Sequence, residues 1–473
     1  MLFASLPFFL GFLPLVLIAT FAMRNLSGPR GALAILVLGS LVFYGWYHPP
    51  FVVLLLGSVA VNFLLAKRIA AAPSRLMTGM GVALNLGLLA WYKYAGFFDE
   101  IAQVLAGSGL GLPDVILPLG ISFFTFQQIA YLVDIHQGKT KPGDVLEYLF
   151  FIAFFPQLIA GPIVHHKDMI PQLSQPRFAQ FRAEDIAGGI VLFSIGLAKK
   201  ILIADTLGHG ADEMFLAQSL GVDLSLTEAW LGMLCYTFQI YFDFSGYADM
   251  ALGLGLLFGL KLPVNFNSPY KSTDIIEFWR RWHITLSTFL RDYLYLPLGG
   301  NRQGNLRRYR NLWIVMLLGG LWHGAGWQFV IWGGLHGAFL TVAHAWRANQ
   351  MPKLPVVVSF GLTFIAVLMA WVFFRAENFA QAQAVLSALF GATDVHSLSV
   401  VVFADLNPLL ESLALAALIA FFAPNSSEIT RKLTAQPTLA KGPNWYAISG
   451  LLAALSLSHL YANGSHAFIY FQF

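Results

Sequence analysis

Apolar residues run through this sequence in stretches of about 20, the length that crosses a bilayer as a helix, separated by short polar punctuation. The first 23 residues carry no charge. With neither a basic start nor a small-residue cleavage site, they read as a retained span rather than a leader. Further apolar stretches lie at 31–47, 51–66, 77–97, 114–135, 145–164, 186–204, 229–258, 311–346, 355–374, 399–423 and 444–462. The pattern predicts an all-α polytopic membrane protein of roughly eleven to thirteen spanning or re-entrant helices. The stretch 311–346 is too long for one span, and its glycines, among them Gly319, Gly320, Gly324, Gly326 and Gly333, predict a break or a tight re-entrant pairing. Segments 118–127 and 154–162 read as kinked or re-entrant because of Pro118, Pro156 and Pro162.

Of the 473 residues, 57% are hydrophobic and only 11% charged, under half the charge that covers a soluble surface. That excludes a soluble enzyme, a disordered scaffold and a nucleic-acid-binding domain. The single cysteine, Cys235, excludes an intramolecular disulfide and a cysteine-held metal cluster. Lys and Arg mark alternate connections: Arg24 and Arg30, then Lys67, Arg68 and Arg75, then Lys139 and Lys141, while His48-Pro49-Pro50 has none. The bias puts these basic loops, and the loop 424–443, on the cytoplasmic side, with both termini outside.

Residues 261–310 hold nine basic residues against three acidic ones. Within them, Phe278-Trp279-Arg280-Arg281-Trp282-His283, followed by 284–293, predicts an amphipathic helix at the cytoplasmic interface. Arg280, Arg281 and Arg291 fit acidic lipid headgroups or, alternatively, a phosphate-bearing cytosolic ligand gripped by guanidinium forks. His323, in Leu321-Trp322-His323-Gly324-Ala325-Gly326, has no charge nearby and lies in an apolar run. An intramembrane ionisable group of this kind is either a hydrogen-bonded core residue or a base that takes a proton from a hydroxyl or thiol and returns it to a leaving group. His165, His166, His336 and His344 have no carboxylate or cysteine spacing around them that predicts a metal site. Asp243 and Asp249, in Tyr241-Phe242-Asp243-Phe244-Ser245-Gly246-Tyr247-Ala248-Asp249, fit either structural hydrogen bonding or a proton path.

In order, 118–127, Phe155-Pro156-Gln157-Leu158-Ile159-Ala160-Gly161-Pro162, the segment 241–247, Phe278–His283 and Leu321–Gly324 resemble the membrane-bound O-acyltransferase superfamily. The likeness is to its bacterial polysaccharide branch, typified by the membrane subunit of alginate O-acetylation, and it covers nearly the whole chain. It implies a ring of membrane helices around a central tunnel with His323 as the essential histidine and His283 as a second, more cytoplasmic one. It also implies a single unit over 1–473, with N-terminal helices at 1–110, a catalytic core at 111–375, and C-terminal helices with a periplasmic tail at 376–473. Acetyl-CoA is the implied donor substrate, with no permanently bound cofactor and no metal. Arg280, Arg281, Arg291, Trp279 and Trp322 are then expected around it. The implied partners are a periplasmic or tethered SGNH-type acetyltransferase, a polysaccharide acceptor reached through it, and membrane lipid, with the protein in the bacterial inner membrane. The terminus Phe468-Ile469-Tyr470-Phe471-Gln472-Phe473 is similar to an F-x-Y-x-x-F motif of this branch, which makes Tyr470 a transient acyl carrier; its other reading is an aromatic belt at the outer interface. The rival functions are a proton-coupled transporter and a structural subunit of an exopolysaccharide export complex.

Overall fold

Glycine and proline cut the apolar runs into helices. The computed structural model describes residues 1–473 apart from 114, 394, 436–442, 465, 466 and 470–473, with backbone only at 432–435, 443, 444 and 463. The described residues form helices and connecting turns, with no strand among them. Helix α1 (Leu13–Gly45) bends at Gly28, whose φ of 74° is outside the helical range, just before Pro29. The first two expected spans are therefore the two arms of one bent element. Helices α2 (Pro50–Ala71), α3 (Arg75–Leu89), α4 (Ala95–Ala106), α5 (Ile121–His136) and α6 (Val145–Ala153) follow. Then come α7 (Ala183–Ala198), α8 (Asp205–Ser219) and α9 (Leu226–Leu257), with a wide π turn at Lys199–Ala204 joining α7 to α8. Among the described residues, four helical runs are long and apolar enough to cross a membrane by length and composition: Phe8–Gly45, Pro50–Ala71, Ala183–Ser219 and Val356–Arg375. Other long helices, such as α9 with Asp243 and Asp249, carry polar groups inside an apolar frame.

The stretch 145–164 is not one continuous span. Helix α6 stops at Phe154 (φ −51°, ψ 111°) and a single turn, Phe155–Leu158, restarts at Pro156. The amide of Phe155 is satisfied by donating to Ser40 Oγ at 3.1 Å. The expected amphipathic helix across 278–293 is likewise corrected. Helices α10 (Ile275–Arg281) and α11 (Ile284–Leu290) are separate, and His283 between them is left-handed at φ 42°, ψ 54°. Asn265 captures the chain there, as described below.

The chain divides into two compact units. The first comprises 1–197, 247–264 and 430–465. Its core is phenylalanine-rich: Phe3, Phe8, Phe12, Phe43 and Phe155 pack with neighbouring ring centres 5.2–6.4 Å apart. A buried polar seam ties α2, α3 and α5 together. Ser58 Oγ donates to Gln128 Oε1 at 3.0 Å, and Asn85 Nδ2 to Asn62 Oδ1 at 2.6 Å. In lipid such interhelical bonds replace the water that a soluble helix would use.

The second unit comprises 198–246, 265–429 and 466–473. It is centred on tryptophans, with Trp371 5.1 Å from Trp282 and 5.8 Å from Trp332. The overlong stretch 311–346 resolves into α12 (Asn305–His323) and α13 (Trp327–Ala348), broken at Gly324–Gly326. These two helices pack backbone to backbone. A Cβ on Gly320 would strike the Phe329 carbonyl oxygen, and one on Gly333 the Met316 carbonyl oxygen. Helices α14 (Val356–Arg375), α15 (Phe379–Leu389) and α16 (Leu406–Phe422) complete the unit's long elements.

Candidate active site

Two sequence-distant breaks in the second unit deliver His283 and His323. His323 is the last residue of α12, where Gly324-Ala325-Gly326 ends the helix. Any side chain at 324 would collide with the Phe329 ring, so the turn beside the histidine tolerates only glycine. His283 is held at its left-handed kink by Asn265. Ile284 N–H donates to the Asn265 carbonyl oxygen at 2.9 Å, and Thr285 N–H and Oγ1 donate to Asn265 Oδ1 at 3.2 and 2.9 Å. A non-glycine residue in this backbone region persists only where its surroundings fix it, and such positions cluster at functional sites.

His283 is fully buried and His323 is 3% exposed, with ring centres 6.5 Å apart. Trp322 lies 6.0 Å from the His283 ring and 5.0 Å from that of His323. Trp332 and Phe374 close over His323 at 5.1 and 5.2 Å. The result is a cluster of aromatic rings that buries both imidazoles side by side.

The hydrogen bonds of His283 define its tautomer. Thr285 N–H can only donate, so the Asn265 atom it meets is the oxygen, and His283 Nδ1, 3.1 Å from that oxygen, must donate to it. Nε2 is then a bare lone pair, buried with no hydrogen-bond partner among the described residues. It is an acceptor awaiting a donor. His336, fully buried, shows the opposite arrangement: the Trp279 indole N–H donates to its Nδ1 at 3.2 Å, leaving the ring proton on Nε2. Its ring lies 4.7 Å from Trp332. Trp279 is thus a support for His336.

The three arginines separate. Arg281 is engaged internally, its Nη2 2.7 Å from Glu277 Oε1. Arg291 pairs with its own neighbour Asp292 at 2.7 Å, on an exposed π turn. Arg280 is exposed and belongs to a basic group that the sequence spreads over 68 positions: Arg280, Arg308 and Arg347 all act electrostatically on His344, against Asp274. Arg308 bonds His344 Nδ1, and Arg347 pairs with Asp274 at 2.5 Å. A cavity of about 1150 Å³ adjoins this group, with Asp274, Arg347, Trp346 and Lys353 at its border and Phe339, Val342 and Leu362 along its wall. Tyr470 lies outside the described residues.

Sequence reasoning singled out His323 and His283 but missed Asn265, and it set His336, Arg308, His344 and Arg347 aside or passed over them. The only sequence signal for the latter group is the basic run 302–310, and Asn265 has none, because its partners lie 18 and 20 residues away.

Residues 139–382 match the sequence model of MBOAT, the membrane-bound O-acyltransferase family, a stretch that includes both histidines. The chain is 39% identical to the peptidoglycan O-acetyltransferase of Helicobacter pylori, over 100% of this chain and 98% of that protein. It is 40% identical to the probable alginate O-acetylase AlgI of Pseudomonas aeruginosa, over 96% of this chain and 86% of that protein. A teichoic acid D-alanyltransferase of Streptococcus thermophilus is more distant, at 29% identity over 49% of this chain and 58% of that protein.

Proposed function

The chain belongs to the membrane-bound O-acyltransferase family and is a membrane acyltransferase, and from that premise we propose that it takes acetyl groups from cytosolic acetyl-CoA and passes them across the inner membrane for O-acetylation of an extracytoplasmic polysaccharide or peptidoglycan. Its relatives named for O-acetylation of peptidoglycan and alginate support the acetyl group and the acceptor class. The observation that carries the reading is the ring-to-ring approach of His283 and His323, 40 residues apart in sequence and 6.5 Å apart among buried aromatic rings.

The donor enters on the basic side. Arg280 and Arg308 take the phosphates of coenzyme A, and Arg308 stands 15 residues from His323 on α12, about 22 Å along the axis. An extended pantetheine arm has a comparable reach. Trp322, Trp332 and Phe374 shut the His323 ring from water in the resting arrangement, and the arm enters by displacing them. His323 takes the proton of an acceptor hydroxyl as its oxygen bonds the thioester carbonyl carbon. The C–S bond then breaks, and the proton passes to the leaving thiolate, giving free coenzyme A. The bare Nε2 of His283 accepts from a donor on the pantetheine arm or the acceptor and fixes its orientation. The acceptor is the phenol of Tyr470, from which an SGNH-type partner on the outer side collects the acetyl group. Both termini then face the periplasm.

A proton-coupled transporter using Asp243, Asp249 and the histidines has less support, because Asp243 is already ion-paired with Lys200 and accepts from the backbone N–H of Ile469. The test is release of thiol from acetyl-CoA by the detergent-solubilised chain, with and without acceptor. Acceptor-dependent release that His323→Ala lowers by about 10²–10⁴-fold, the usual weight of a general base, supports the reading; release unaffected by that change ends it.

A further inference from the structure

Asp243 does something the transfer chemistry does not require. It sits on α9 at 2% exposure, in the second unit, and its two oxygens face different groups. Lys200 Nζ lies 2.7 Å from Oδ1, and the backbone N–H of Ile469 donates to Oδ2 at 2.9 Å. The same ammonium lies 2.6 Å from Asp205 Oδ1, so one positive charge stands between two buried carboxylates. A carboxylate oxygen buried in a low-dielectric interior needs a hydrogen-bond donor of its own. The donor supplied is a backbone amide of the chain's last residues. Phe468 and Ile469 are each 4% exposed, and Phe468 packs 5.7 Å from Phe244, which itself stands edge-on to the His283 ring at 4.8 Å.

We propose that Asp243 is a positioning residue whose interior carboxylate grips the backbone at Ile469 and holds Phe468-Ile469 in register near the His283 ring. Because the bond is to main chain, the grip is indifferent to the side chain at 469 and fixes only where the chain runs. Phe244 supplies the apolar half of the seat and Lys200 holds the carboxylate in place. The register matters because Tyr470 follows Ile469 directly in the sequence, and this part of the argument rests on the acyl-transfer reading above.

The test uses the full-length chain in detergent with single reporter cysteines. Native Cys235 is buried, so it contributes little background and reports on the fold. Ile469→Cys keeps the backbone donor and is expected to react with a maleimide at least about tenfold more slowly than Ala467→Cys, whose position is exposed. Adding Asp243→Asn leaves Lys200 its Asp205 partner and is expected to bring the 469 reporter up to the rate at 467 while Cys235 stays silent. If Asp243→Asn also exposes Cys235, Asp243→Glu, which keeps the ion pair but displaces the acceptor, is read in its place and is expected to speed the reporter. In acetyl transfer, the Asp243 variant is expected to lose kcat by about tenfold at unchanged KM for acetyl-CoA. Equal rates at 469 and 467 in the otherwise native chain overturn the seat. A reporter that stays slow in an Asp243 variant with silent Cys235, or a variant whose KM rises while kcat holds, overturns the role of Asp243. Labelling does not depend on acetyl transfer, so a protected tail on an inactive chain would sink the acyl-transfer reading and leave the grip standing.

Discussion

The Asn265 side-chain oxygen collects three donors, from His283 Nδ1, Thr285 N–H and Thr285 Oγ1. It therefore fixes the backbone kink and the tautomer of His283 together. Asn265→Ala strands those donors in a buried site, which costs about 1–3 kcal/mol of stability, and it frees the ring to turn. Acetyl transfer is expected to fall by at least about tenfold, with a lowered melting temperature in the same sample. At the basic mouth the arginines are expected to differ. Arg280→Gln raises the KM for acetyl-CoA, more so at low salt, whereas Arg291, already paired with Asp292 at the surface, changes it by no more than about twofold when replaced by Gln. Steady-state kinetics at two ionic strengths check both. The histidines were legible in the sequence because each sits in a motif of unusual residues. Asn265 was not, since a hydrogen bond that spans 18 positions leaves no local mark.

At the scale of elements, the close pairing of α12 and α13 presents His323. Gly333 has no room for a Cβ against the Met316 carbonyl, but a Cβ on Gly334 would meet Trp313 and Leu317 only at 3.7 and 3.8 Å. Gly333→Ala is expected to push the helices apart, with a loss of about 1–3 kcal/mol and most of the activity, while Gly334→Ala retains both. Thermal unfolding and acetyl transfer on the two variants make the comparison. The break between these helices could be read from the glycines, and the one at Phe154 from Pro156. The break at His283 could not, because no proline or glycine marks it and the apolar positions Phe278, Trp282, Leu286, Phe289 and Leu290 keep helical spacing straight across it. Only tertiary capture of the chain by Asn265 interrupts it.

For the whole molecule, the scarcity of charge announced a membrane protein, and the Lys/Arg bias of the loops gives its proposed orientation. A reporter cysteine at Pro49 is expected to react with an impermeant maleimide from the periplasmic side, and one at Pro73 only after the membrane is opened; the reverse pattern inverts the topology. The division of the chain into two units was not legible, since each is assembled from three separated segments with no polar linker between them. The claim on which the whole account turns is that His323 performs acyl transfer. The most direct measurement is transfer of radiolabelled acetyl from acetyl-CoA to protein and acceptor by the purified native chain and by His323→Ala, each shown to be folded by its melting curve. The account predicts label on both protein and acceptor for the native chain, and a loss of about 10²–10⁴-fold for a variant that melts normally. Equal labelling by the two chains would contradict it.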